Sequence, residues 1–111
     1  AKFDLDNLTV IIDANGVQLE GTNDEIMPLG DLTAKIRAFE WNVVECDGHD
    51  MRSILEALSK AETCKGSPTA IVAHTVKGKG VSFMEGKAEW HGKTIDEKAY
   101  CKAMEELGGK A

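Results

Sequence analysis

The sequence predicts an α/β fold of three layers, a short parallel sheet with crossover helices, and two observations predict it. Three short runs rich in β-branched residues, at positions 8–13, 41–46 and 69–74, are apolar without alternation, as strands covered on both faces are. Between the second and third runs, Met51, Ile54, Leu55 and Leu58 recur at helical spacing behind Asp50, which marks a helix with its N-cap. A right-handed helical crossover is the usual way to join two parallel strands.

The remaining elements follow in order. Leu32, Ile36 and Phe39 repeat after Pro28, so the first two strands are joined by a long loop and a helix. Thr94 and Glu97 have the spacing of a capping box, Tyr100, Ala103, Met104 and Leu107 share one face, and Gly108 suits the C′ position. A final helix is expected to end near Gly108. The stretch from Gly78 to Gly92 shows no periodicity and reads as a loop, where function often resides. The expected core comprises Val10, Ile12, Val43, Val44, Ile54, Leu55, Leu58, Ile71 and Val72. With 111 residues, positions 1–111 are expected to form a single α/β domain.

Composition excludes several classes. Hydrophobic residues make up 42% and charged residues 29% of the chain, a globular composition. No apolar run approaches the roughly 20 residues that cross a bilayer, so no membrane association is expected. Thirteen basic against nineteen acidic residues give a net charge of −6, which opposes nucleic-acid binding. Cys46, Cys64 and Cys101 are odd in number and without a CxxC pair, and the start AKFDLDN lacks a charged-then-apolar signal. These features point to a reducing cytoplasm, without a disulfide framework or zinc site.

The segment IIDANGVQLEG, residues 11–21, ends a strand and enters a loop, and open parallel sheets gather ligands at the carboxyl ends of their strands. Taken alone, Asn15-Gly16 is equally the turn that follows many strands. A second segment, HTVKGKGVSFMEGKAEWHGK at residues 74–93, places Lys77 and Lys79 among glycines. Backbone amides and ammonium groups can approach a phosphate in such a loop, although a solvated turn has the same sequence. The span Gly86 to Thr94 is no P-loop, because five residues separate Gly86 from Gly92 where four are required. Asp50 is read as a helix cap without a catalytic role, and His49 and His74 are given none.

Together these segments resemble transketolase, over essentially the whole chain. Asp13, Asn15 and Val17 match the Asp-x-Asn-x-aliphatic pattern of its thiamine-diphosphate-binding domain, and His91-Gly92 matches the His-Gly that closes its Lys-Gly-x-Gly loop. The NGVQLEG loop is closer to transketolase than to deoxyxylulose-phosphate synthase. The resemblance implies thiamine diphosphate and Mg²⁺ as cofactors, with the Asn15 side chain and the Val17 carbonyl as Mg²⁺ ligands. It further implies that Asn15, Val17, Leu19, Lys77 and His91 line the cofactor, and that His91 contacts the diphosphate and the substrate phosphate end as a catalytic residue.

The reaction implied is two-carbon ketol transfer between sugar phosphates. Measured against the family, the chain corresponds to the later part of the diphosphate-binding domain. The glycine-aspartate-glycine turn and the pyrimidine-binding domain have no counterpart in it. It is expected to be inactive alone and to bind thiamine diphosphate weakly. Two arrangements stay open: a fragment that pairs with itself as a homodimer, and one component of a split transketolase completed by a complementary chain.

Overall fold

The most apolar of the three runs occupies the centre of the sheet. In the computed structural model, which describes residues 1–109, the strands are β1 (Thr9–Ala14), β2 (Val17–Gln18), β3 (Gly21–Thr22), β4 (Asn42–Asp47) and β5 (Thr69–His74). The helices are α1 (Asn23–Ile26), α2 (Leu32–Ala38), α3 (Met51–Thr63) and α4 (Glu97–Glu106), with a 3-10 turn at Ala88–His91. Two compact units result. One holds Ala1–Ala14 and Leu29–Thr75, the other Asn15–Pro28 and the chain from Val76 onward.

In the first unit β1, β5 and β4 form a parallel sheet in that order, with Ile11 opposite Ile71 and Val44 opposite Ile71 on the other side. Strand β5 pairs on both edges, and Thr69 to Ala73 are all buried. Side chains alternate across a strand, so Ile11, Ile71, Ala73, Val44 and Cys46 share one face. Helix α3 covers that face, burying Ala57 and Ala61 against Cys46, Ile71 and Ala73. The opposite face carries Val10, Ile12 and Ala70, which border a cavity with Ile36 of α2, its C-cap Phe39 and Trp41. A helix therefore lies on each side of the sheet, the three layers that the sequence predicts.

The cap and the existence of α3 are as expected: Asp50 accepts the Arg52 N–H at 3.0 Å. Its facing is not. Leu55 is 62% exposed, and Met51, Leu58 and Val10 are exposed as well, which corrects the placement of Leu55, Leu58 and Val10 in the core. The cause is the size of the buried residues. Alanines at 57 and 61 let the helix sit close over β4 and β5, and the larger side chains rotate to its flank. Replacing Leu55 by alanine should therefore shift stability by less than about 0.5 kcal/mol, the ordinary range of a surface change. Chemical denaturation measures it, and a loss above about 2 kcal/mol would return Leu55 to the core.

Strand β1 is an open edge of this sheet, and its Ile11 is 60% exposed. Beyond the strands, the Thr75 hydroxyl donates to Asp13 Oδ1 and the Thr75 N–H donates to the Ala14 carbonyl at 3.4 Å. His74 Nε2 lies 2.9 Å from Glu45 Oε2, and this contact holds the Glu45 carboxyl below the usual carboxylate range. The His49 N–H donates to Asp47 Oδ1 at 2.8 Å. No helix among the described residues is long and apolar enough to cross a membrane.

In the second unit the long loop predicted after β1 contains structure of its own. Strands β2 and β3 pair as a hairpin, Val17 opposite Thr22 and Gln18 opposite Gly21, and α1 follows at once. Helix α4 starts two residues later than its expected box. Asp96, and not Thr94, is the N-cap, accepting the Ala99 N–H at 2.8 Å. Its end is as expected: Gly108 sits at C′ with φ +73°, and Gly109 donates to the Met104 carbonyl and Gly108 to that of Glu105, the two bonds of a Schellman motif.

Candidate functional site

All five residues that the sequence marks for the cofactor lie in the second unit. Asn15 leaves β1 and folds back on the chain: its Oδ1 accepts the Val17 N–H at 3.1 Å, an Asx turn. The turn depends on Gly16, whose φ of +76° is costly for any residue with a Cβ. The Gly16 carbonyl then accepts the Asn23 N–H at 2.9 Å, which closes the hairpin beneath the turn. At the far end of the hairpin Leu19 is 65% exposed.

The other end of the hairpin is locked by a capping box that its sequence, Thr22-x-x-Glu25, announces. The Thr22 hydroxyl accepts the Glu25 N–H at 3.3 Å, and Glu25 Oε2 accepts the Thr22 N–H at 3.2 Å. A further bond from the Thr22 hydroxyl to the same oxygen, at 2.8 Å, does most to hold the Glu25 carboxyl below its ordinary range. Gln18 Nε2 reaches the Met27 carbonyl at 2.9 Å. The loop from Asn15 to Pro28 is thus cross-braced along its length.

His91 ends the 3-10 turn, and that turn packs against β3. The contact brings the His91 segment to the hairpin that Asn15 opens. The imidazole is exposed. Its neighbour Trp90 supplies the anchor: the indole N–H donates to the Phe83 carbonyl at 3.0 Å, and the two rings meet edge to face at 5.3 Å. Lys93 Nζ lies 4.4 Å from the centre of the Trp90 ring. Lys77 is half-buried, and its carbonyl accepts the Gly86 N–H at 2.9 Å, closing residues 77–86 into a loop.

Two carboxylates in this unit escaped the sequence reading. Glu85 Oε1 accepts the Gly80 N–H at 3.0 Å and lies 3.6 Å from Lys79 Nζ. Glu106 accepts both the hydroxyl and the N–H of Ser82, and the hydroxyl contact is the main reason its carboxyl stays below the ordinary range. Nothing local signals the Glu106 contact, which spans 24 residues.

The donors offered around Asn15 are a neutral amide oxygen and a backbone carbonyl oxygen. That chemistry suits a hard, oxygen-seeking cation such as Mg²⁺ and disfavours zinc or copper. It would supply part of the oxygen shell of such a cation. Among the described residues no three His, Cys, Asp or Glu side chains converge on a metal position.

Comparison with known proteins gives the family of the chain. The family model for the transketolase thiamine diphosphate binding domain matches residues 1–111. The chain is 38% identical over 106 residues to one of the subunits of apulose-4-phosphate transketolase from Phocaeicola vulgatus, covering 96% of this chain and 38% of that protein. It is 41% identical over 103 residues to the 6-deoxy-6-sulfo-D-fructose transketolase subunit SqwG of a Clostridium species, covering 93% of this chain and 38% of that protein. It thus spans well under half the length of these relatives. The crystal structure of transketolase from Campylobacter jejuni superposes with a TM-score of 0.89 at 29% identity, over 98% of this chain and 17% of that one. The chain belongs to the family of transketolase thiamine diphosphate-binding domains.

Proposed function

We propose that residues 1–111 act as part of a transketolase diphosphate-binding domain and supply one side of a thiamine diphosphate site for two-carbon ketol transfer between sugar phosphates. Thiamine diphosphate, when bound, supplies the carbanion chemistry of the transfer. In this reading Asn15 Oδ1 and the Val17 carbonyl hold Mg²⁺, Leu19 and Lys77 flank the cofactor, and His91 donates an imidazole N–H to an anionic oxygen of the diphosphate or the substrate phosphate. The observation that carries it is the packing of the His91 turn on β3, the strand that pairs with Val17–Gln18 just beyond Asn15.

Two neutral oxygens do not make a strong Mg²⁺ site, and a partner completes it in this reading. Two of the relatives are themselves transketolase subunits, which supports a complementary transketolase chain. The open edge of β1 with its exposed Ile11 favours, as a second reading, a homodimer inactive in transfer. The three free thiols suit the cytoplasm.

Calorimetric titration with thiamine diphosphate and Mg²⁺ tests the site. The purified chain should bind weakly, with Kd above about 10 μM, lose that binding on Asn15→Ala, and turn over no ketose phosphate. Submicromolar affinity that survives Asn15→Ala would show that the site lies elsewhere, and turnover of about 1–10³ per second would show that no partner is needed.

A further inference from the structure

The loop closed by Lys77 and Gly86 presents anion-binding groups that the chain itself occupies. Gly78 and Gly80 have φ of +71° and +93°, left-handed positions that favour glycine; the Lys79 and Val81 amides turn to the Val76 and Gly78 carbonyls, which leaves the Gly80 N–H to face the Glu85 carboxylate. The Gly80 N–H and Lys79 Nζ converge on a single oxygen, Glu85 Oε1, at 3.0 and 3.6 Å. One backbone amide and one ammonium on one oxygen is the arrangement by which glycine-lysine loops hold a phosphate oxygen. A second carboxylate is seated in the same unit. Glu106 takes the hydroxyl and N–H of Ser82 and lies 3.7 Å from Lys102 Nζ.

The two seats differ in access. Glu106 is 24% exposed and clasped by both groups of Ser82, whereas Glu85 is 38% exposed and Lys79 53% exposed. The Glu85 seat is the one that a solute can reach. Its occupant is a monoanion, and an exposed lysine-carboxylate pair of this kind contributes little net stability. A phosphate monoester carries a charge of about −1.5 to −2 and three strong acceptor oxygens.

We propose that Lys79 and the Gly80 amide form a phosphate-binding seat that Glu85 keeps closed, and that a phosphate monoester or inorganic phosphate binds by displacing the Glu85 carboxylate into solvent. The seat is independent of the roles given to Asn15, Val17 and His91, and its test uses no thiamine diphosphate. Inorganic phosphate is titrated into the isotope-labelled chain and followed by nuclear magnetic resonance. In the wild type the Gly80 amide and the Glu85 carboxyl carbon should shift together, with one dissociation constant. Gly80 moving while Glu85 stands still would overturn displacement. Glu85→Gln keeps an oxygen that can accept the Gly80 N–H but removes the charge on Lys79's partner, so phosphate should bind about fivefold tighter. Adding Lys79→Ala should abolish the gain. A Glu85→Gln chain that binds phosphate no tighter, or a gain that survives Lys79→Ala, would overturn the proposal.

Discussion

Ile71→Ala should lower the folding stability by about 2–5 kcal/mol, the range for deleting a buried branched side chain where the surroundings cannot close the gap. Ile71 is 2% exposed. Its strand pairs on both edges, which fixes the backbone around the void: the larger neighbours Ile11 and Val44 are held in register on the paired strands, and Cys46, Ala57, Ala61 and Ala73 are too small to fill it. The comparison with Leu55→Ala is internal to the protein: similar atoms are removed, yet one change opens a cavity and the other removes an exposed flank. Urea unfolding with an unchanged slope and a lowered midpoint is the expected record. A loss below about 1 kcal/mol would mean that α3 settles onto β5 and refills the space.

Gly78→Ala should cost about 2–5 kcal/mol, combining left-handed backbone strain with a steric conflict. The added Cβ would stand 2.8 Å from Met84 Cβ and 2.9 Å from the Met84 carbonyl carbon and oxygen, and backbone cannot step aside as a side-chain end can. The loop is then expected to open, releasing the Gly86 N–H from the Lys77 carbonyl. Amide exchange at Gly86 reads this directly, and unchanged protection there would refute the close approach. Gly16→Ala serves as the control, because φ is also positive but nothing lies within 4 Å of its Cβ position. It should cost only the strain, about 1–2 kcal/mol.

The parts of the fold that were legible in the sequence are those where local chemistry and burial agree. Strand β5 has the predicted bounds because its run of Thr, Ala, Ile, Val and Ala is covered on both faces. Asp50 and Gly108 were legible because a cap is a local match between a side chain or a left-handed residue and nearby backbone groups. The facing of α3 was not, because a search for large apolar residues passes over alanine, and close packing selected Ala57 and Ala61. Thr94 lost to Asp96 because both offer an oxygen at a helix start and the aspartate is a slightly better cap.

For the candidate site, the sequence names Asn15, Val17, Leu19, Lys77 and His91. The β2–β3 hairpin joins the first three, and the packing of Ala88–His91 on β3 brings in the last. The hairpin itself was hidden, since strands of two residues carry no period to detect. The T-x-x-E spacing of Thr22 and Glu25 was the available signal for it. Glu106 was invisible because its partner Ser82 is remote in sequence.

The order β1-β5-β4 sets a sequence of events in folding. Strands β4 and β5 flank α3 directly, so their pairing closes one modest loop, whereas Thr9 finds Thr69 only after the whole intervening chain has been gathered in. Loop-closure entropy is met before a distant contact returns anything. The β4–α3–β5 unit is therefore the natural nucleus, and β1 adds last along an edge already formed. The Asn15 turn, joined to the end of β1, thus extends from the last strand to dock.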